Sequence, residues 1–461
     1  MAAKKTKVDP AKILAAHVID TGIKEVPEAS LDATRRDVLD TFGSMLGGSG
    51  APGINELVSV NGRWGGLEES SLAVIGGKMP AHHAAMINSA MGHALDFDDT
   101  YDKGGHVHPG TSVLAASLAI AESVGGVSGE QLMLAATLGL DVSCRLGLAA
   151  HDDRGWHRTA SFGIFGATAA AGKLIGLNQE QMVHAFGIAY SQAAGNRQCI
   201  VDGALTKRFQ AGQSAHGAVL SVFLAKEGFT GAENVFAGRY GFFPMYQPDG
   251  YDLSIIDKDL GKEFLGDRIS FKPYPCVRPS HAFIDAAVKL HHELELGKNE
   301  IESIIVRMDP ETLDSRYNLS VGIARPSHQV EAQFSVRYLI GCALALGGVG
   351  IDEINVFTNP EVLAASELVT AESRQGVAKG WAEIEVVCVG GKTASTELES
   401  PFGSPDNPLS IDQLKDKFRD CAAHAAHPTP KAMVEKMITM ILSPDALTDS
   451  ADLIKLSLVS K

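Results

Sequence analysis

The chain has 461 residues, 45% hydrophobic and 21% charged, which is ordinary globular composition with material for two or three folding units. Its formal net charge of −15 argues against nucleic acid or an anionic membrane surface as main partner, because both need a basic field. A small anionic substrate in a local positive pocket stays compatible, and six scattered cysteines without CxxC or zinc-knuckle spacing predict reduced thiols in a cytoplasmic setting.

The N-terminus, MAAKKTKVDPAKILAAHVID, lacks the apolar core of a secretion signal and reads as a frayed tail before a helix. No run approaches the roughly eighteen apolar residues of a membrane helix. From about 10 to 230, Ala- and Gly-rich segments repeat apolar residues at three- and four-residue spacing. TSVLAASLAIAESVG and GEQLMLAATLGLDVSCRLGLAA predict long buried helices whose small residues allow close approach. Ser128 and Asn178 stand where helix caps belong. A formal GxGxxG at Gly48, Gly50 and Gly53 follows a helix and contains Pro52, so it reads as a loop and not a dinucleotide fingerprint.

The segment HALDFDDTYDKGGHVHPG (93–110) holds four carboxylates and three histidines. Three chemistries compete for it. DDTYD at 98–102 matches the DDxxD of Mg²⁺-dependent diphosphate enzymes, although no second magnesium motif follows. His106 and His108 offer two zinc ligands but no third. An acid–base reading continues the preceding helix to about 100, which puts Asp96 and Thr100 on one face, and lets His108, extended before Pro109, turn back over Asp96. The bland reading is a capping aspartate and a surface histidine.

Three further segments suit an anion. GWHRTASFG places His157 at a helix start. TKRFQAG puts Lys207 and Arg208 at another, where the dipole opposes them unless a carboxylate compensates. FKPYPCVRPSHAFIDA stiffens the chain after Lys272, with Ser280 as the expected cap of a helix beginning at His281. Near 268 the texture changes. IESIIVRMDP is a β-branched run, WAEIEVVCVGGKTASTELES is a hairpin turning at Gly390–Gly391, and VEAQFSVRYLIGCALALG is helical. The expected fold is mainly α. A large all-helical domain over 1–267 is followed by a smaller α+β lid over 268–404, inserted before C-terminal helices at 405–461 that rejoin the first domain.

HALDFDDT with HPG, GWHRTASFGIFGATAAAGKLIGL, TKRFQAGQSAHGAVLS, EGFTGAENVF, FKPYPCVRPSHAFIDA and EAQFSVRYLIGCALALG together resemble the MmgE/PrpD family, in order over nearly the whole chain. That family contains 2-methylcitrate dehydratases, cis-aconitate decarboxylases and iminodisuccinate epimerases. The resemblance implies a homodimer, a small di- or tricarboxylate substrate, and no metal, flavin or nicotinamide cofactor. It also implies catalytic roles for Asp96, His108, His157 and Lys272, and substrate contacts from Thr100, Lys207, Cys276 and His281. Cys276 stands where some members have histidine, Arg337 where many have proline, and DKGG lengthens the loop before His108. The expected reaction is 2-methylcitrate-like dehydration, with epimerisation and decarboxylation as alternatives.

Overall fold

The computed structural model describes residues 8–102, 105–152, 154–296, 300–313, 322–378 and 381–458. The N-terminal tail before Val8, and Lys103 and Gly104 of the DKGG insertion, lie outside the described residues.

The first part of the chain, expected to be all-helical, is mainly helical, with one short strand pair. Its helices are α1 (Pro10–Asp20), α2 (Glu28–Gly47), α3 (Ile54–Trp64), α4 (Ala81–Gly92), α5 (Pro109–Val124), α6 (Gly129–Leu148), α7 (Arg158–Leu174) and α8 (Gln179–Tyr190). A single turn, α9 (Gln198–Val201), leads to the long α10 (Thr206–Lys226), and two short helices follow, α11 (Phe242–Tyr246) and α12 (Ser254–Asp257). A small antiparallel pair, β1 (Ser70–Ser71) and β2 (Lys78–Met79), precedes α4. Ser128 and Asn178 close full capping boxes with Gln131 and Gln181, so each satisfies amide groups that a helix start leaves open. The small residues do what their spacing predicts. A Cβ on Gly139 of α6 would stand 2.7 Å from the Gly166 carbonyl oxygen of α7, so these helices cross backbone to backbone.

The second part has its own core around a four-stranded sheet of order β4-β3-β5-β6. Strand β3 (Ile301–Met308) pairs in parallel with β4 (Val369–Ser373) and antiparallel with β5 (Ala382–Cys388), which turns through Gly390 and Gly391 into β6 (Thr393–Leu398). Both turn glycines have positive φ, 100° and 88°, as a tight hairpin demands. Ala382, Ile384, Val386 and Cys388 alternate inward along β5. They share that core with α13 (His281–Glu293), while α14 (Pro310–Leu313), α15 (Gln329–Phe334), α16 (Val336–Leu346) and α17 (Pro360–Leu368) complete the unit.

One helix expected over VEAQFSVRYLIGCALALG is broken in two at Ser335. That residue is extended at φ −99° and ψ 104°, and its Oγ accepts the Tyr338 N–H while donating to the Ile323 carbonyl. A serine that offers the backbone an alternative partner is a reason for a helix to restart there.

The last helices, α18 (Ile411–Ala423), α19 (Lys431–Leu442) and α20 (Ala451–Ser457), return to the helical core. Phe418 and Cys421 of α18 lie so close to α2 that Cβ atoms on Gly43 and Gly47 would stand 3.1 and 3.2 Å from them. All six cysteines are free and buried, and no helix among the described residues is long and apolar enough to cross a membrane.

Candidate active site

The 93–110 segment does not continue α4. The helix ends at Gly92, and Asp96 adopts a left-handed φ of +51°, so the expected one-turn spacing of Asp96 and Thr100 is not formed. Packing explains the stop. A Cβ at Gly92 would meet Thr111 Oγ1 of α5 at 2.6 Å, so α4 reaches α5 there and has no room to extend. A buried non-helical backbone must find other donors, and two lysines supply them. Lys272 Nζ donates to the Asp96 carbonyl at 2.7 Å, and Lys417 Nζ of α18 donates to the Phe97 carbonyl at 2.6 Å.

Asp96 is the hub. Its Oδ1 accepts from Lys207 Nζ at 2.7 Å, and its Oδ2 lies 3.0 Å from Lys272 Nζ. Burial alone would raise its pKa, but the two ammonium groups outweigh burial and hold the carboxyl well below the usual range. The carboxylate that compensates a lysine in the first turn of α10 is therefore the protein's own. Thr100 exchanges both backbone hydrogen bonds with Ser270, at 2.9 and 2.8 Å, and this bridge carries Lys272 to Asp96; its hydroxyl makes no bond among the described residues.

The other acids go to separate partners. Asp98 Oδ2 is 2.6 Å from His93 Nδ1, Asp99 accepts the Gly110 N–H, and Asp102 accepts from Arg278 Nε at 2.9 Å. DDxxD therefore does not converge on one ion. His93, Asp98 and His108 do bring ligand atoms within 4.8 Å of one another. However, Lys207 Nζ sits 2.7 Å from His93 Nε2 and Asp98 holds Nδ1, so both ring nitrogens of His93 are taken. Two adjacent lysines also repel a cation. The segment is built for an anion.

These contacts fix tautomers. An ammonium only donates, so His93 Nε2 accepts and Nδ1–H faces Asp98. Asn196 N–H donates to Gln210 Oε1, and Gln210 Nε2 donates back to the Asn196 carbonyl, which fixes the amide orientation. His157 Nδ1, 2.9 Å from that Oε1, must be the donor, leaving a lone pair on Nε2. His157 Nε2 is buried without a partner among the described residues. Desolvation, reinforced by Lys207 and His93, holds the imidazole well below its ordinary 6.5, hence neutral.

His108 sits before Pro109 at φ −101° and ψ 87°, short of the extended conformation expected, and its nearest acid is Asp98, at 3.6 Å, and not Asp96. Burial and then Lys272 depress its pKa. The rings of His108 and His157 lie 5.0 and 5.4 Å from His93, so three neutral imidazoles cluster against two lysines.

Cys276 and His281 point to protein partners. Burial pushes the Cys276 thiol up to about 12, and its Sγ meets Ser280 Oγ at 3.3 Å. Ser280 Oγ donates to the Val277 carbonyl, so it does not cap α13. His281 Nδ1 accepts from Arg278 at 3.1 Å, while its Nε2 lies 3.3 Å from the Cys276 carbonyl. Both residues, expected as substrate contacts, are fully buried; Cys276 meets Ser280, and His281 braces Arg278, whose Nη2 is buried without a partner among the described residues.

Sequence reasoning missed His93, Gln210 and Arg278. His93 opens the quoted motif, and its placement 5 residues ahead of Asp98 was the available signal. Next to the cluster, a cavity of about 620 Å³ lies between the two domains, lined by Arg154, Asn196, Arg197, Glu331, Phe334 and Ser335. Lys207 Nζ stands 5.6 Å from the Phe334 ring, which links cavity and cluster.

Fold and site together define a two-domain, mainly helical protein with a buried cluster of lysines, histidines and aspartates. The chain belongs to the MmgE/PrpD family: the N-terminal domain model matches residues 12–253 and the C-terminal domain model residues 274–441. Its curated relatives include the cis-aconitate decarboxylase of Aspergillus terreus, 26% identical over 94% of this chain and 92% of the relative. The cis-aconitate decarboxylases of Mus musculus and Homo sapiens are also 26% identical, over 94% and 91% of this chain and 90% and 88% of their own lengths.

Proposed function

We propose that the chain is a lyase that acts on a small di- or tricarboxylate by moving a proton at a carbon beside a carboxylate. The observation that carries this reading is the neutral His157, with an unpartnered Nε2, set against Lys207 and Lys272. Lys207 uses two N–H groups on Asp96 and His93, which leaves one of its three for a substrate oxygen. Arg278 Nη2 offers a second donor. Charge that develops beside the reacting carbon is then met by fixed cations in a water-poor site, usually the largest single contribution to such catalysis.

A lone pair on His157 favours abstraction. In a hydro-lyase reading, Nε2 takes the proton from carbon and the C–H electron pair forms the C=C bond. The C–O bond breaks, and the hydroxyl leaves as water with a proton from Lys207. His108, beside Asp98, shuttles protons out of the site. Dehydration of a 2-methylcitrate-like hydroxy-tricarboxylate is the first assignment. The names of the curated relatives support a second: loss of CO₂ from an unsaturated tricarboxylate, followed by protonation of carbon. The homodimer implied by the family is retained as part of the reading.

Incubation with 2-methylcitrate, cis-aconitate and racemic dicarboxylates in D₂O, followed by NMR, separates these. Water loss from 2-methylcitrate supports the first assignment, and CO₂ release from cis-aconitate the second. If no substrate turns over or gains deuterium beside a carboxylate, the lyase reading is wrong.

A further inference from the structure

At the end of α4 remote from the acid–base cluster, three histidines meet. Helices α4 and α10 run antiparallel and approach closely where a Cβ on Gly212 would stand 2.5 Å from the Met86 carbonyl oxygen. One turn from that contact, His82 and His83 of α4 face His216 of α10. The ring centroids are 4.2 Å apart for His82 and His83, 4.9 Å for His82 and His216, and 5.9 Å for His83 and His216. One nitrogen of each ring lies within 4.8 Å of the other two.

Ordinary packing leaves this group unexplained. His83 Nδ1 and His216 Nδ1 are buried and have no hydrogen-bond partner among the described residues. Two buried, orphaned nitrogens in one cluster are costly and call for a partner. No lysine or arginine is bonded to the three rings among the described residues, unlike the His93 cluster, where ammonium groups oppose a cation. The anion facing His82 is Glu69, whose Oε2 accepts the Ala81 N–H at 3.1 Å and so covers the positive end of α4.

We propose that His82, His83 and His216 bind a zinc-class divalent transition-metal ion, with water or Glu69 in the fourth position, and that the ion staples α4 to α10. Three imidazoles are a set that Zn²⁺ and its neighbours accept, at about 2.0–2.1 Å from each nitrogen. The staple acts on the two helices that carry the machinery: α10 bears Lys207 and Gln210, and α4 leads into His93 and Asp96. The family resemblance implies no metal, so this site is an addition to that expectation.

The test uses the full chain, stripped with chelator and titrated with Zn²⁺ by calorimetry, with Co²⁺ absorption as the second readout. Expected are about one Zn²⁺ per chain, a tetrahedral Co²⁺ band, and a rise in Tm on binding. His216→Ala and His82→Asn should each weaken binding about tenfold or more, while His108→Asn binds as the wild type does. The proposal is overturned if the wild type binds no Zn²⁺, if His216→Ala and His82→Asn bind it unchanged, or if only His108→Asn loses it. Two histidine variants guard against one failing to fold.

Discussion

Lys272 Nζ lies 2.7 Å from the backbone carbonyl oxygen of Asp96 and 3.0 Å from its carboxylate, with neither side chain open to solvent. One lysine therefore holds both the shape of the loop and the charge of its central acid. The pair joins the helical domain to the first residues of the chain's second part, through the Thr100–Ser270 bridge.

Removing one partner strands the other charge. Lys272→Met should destabilise the protein by about 3–5 kcal/mol, the range for breaking a buried pair. Asp96→Asn should cost a similar amount, because it leaves two lysines facing each other. The double variant should lose less than the two single losses added together. Urea denaturation of all four proteins reads the coupling, and simple additivity would show that the contact carries no energy.

His157 is predicted to be the proton-abstracting base. His157→Gln should leave far-UV circular dichroism unchanged and lower kcat by about 10²–10⁴-fold, the usual contribution of such a group. Gln210→Leu should cost less, since it frees the tautomer but keeps the ring. Because burial depresses the imidazole, the acid limb of kcat/KM should lie below pH 6.5. A pH–rate profile with that limb above 6.5, or unchanged in His157→Gln, sinks the assignment.

Much of this arrangement is readable from the chain alone. Helical spacing and cap residues predict the α4–α10 region, and Ser128 and Asn178 form the expected boxes because a cap depends on a few adjacent residues. Asp96, His108, His157, Lys207 and Lys272 are named by their motifs. What the sequence does not supply is pairing at a distance. The acid beside His108 is Asp98, because α4 stops at Gly92 and Asp96 is left-handed, and periodicity carries no sign of a single positive φ. Cys276 and His281 share a motif with Lys272, but Cys276 meets Ser280 and His281 holds Arg278, a distinction that only side-chain direction makes.

Asp37 and Asp99 meet above Gly110, whose missing Cβ would stand 2.8 Å from an oxygen of each. Burial, and then the charge of Asp40, raise the Asp37 pKa to about 8, while burial and Asp37 raise that of Asp99 well above the usual range. The folded state therefore binds more protons than the unfolded chain. This contribution is fully present below the unfolded pKa and is lost as pH rises through the folded value. Asp37→Asn imitates the protonated form, so its Tm advantage over the wild type should grow between about pH 5 and pH 9. An advantage that shrinks with pH would contradict the raised Asp37 pKa.

The reach of α18 into the candidate active site gives the last prediction. Lys417 Nζ donates to Asp40 Oδ1 and to the Phe97 carbonyl, both at 2.6 Å, and stands 3.9 Å from the Phe97 ring centroid. Lys417→Ala leaves a buried carboxylate and a buried carbonyl unanswered beside Asp96. The loss should be about 3–5 kcal/mol at neutral pH. Burial raises the Asp40 pKa to about 6 even against the opposing pull of Lys417, so without the lysine it must rise further. A carboxyl with a raised folded pKa favours the folded state at low pH and ceases to do so as pH increases. The variant should therefore lie nearest to the wild type at about pH 5.5 and fall furthest behind at about pH 8. Turnover should drop with it, because the Phe97 carbonyl anchors the turn that presents Asp96 to Lys207. Paired denaturation curves at the two pH values decide the point: an equal loss at both would mean that Asp40 stays ionised and that the lysine acts through packing alone.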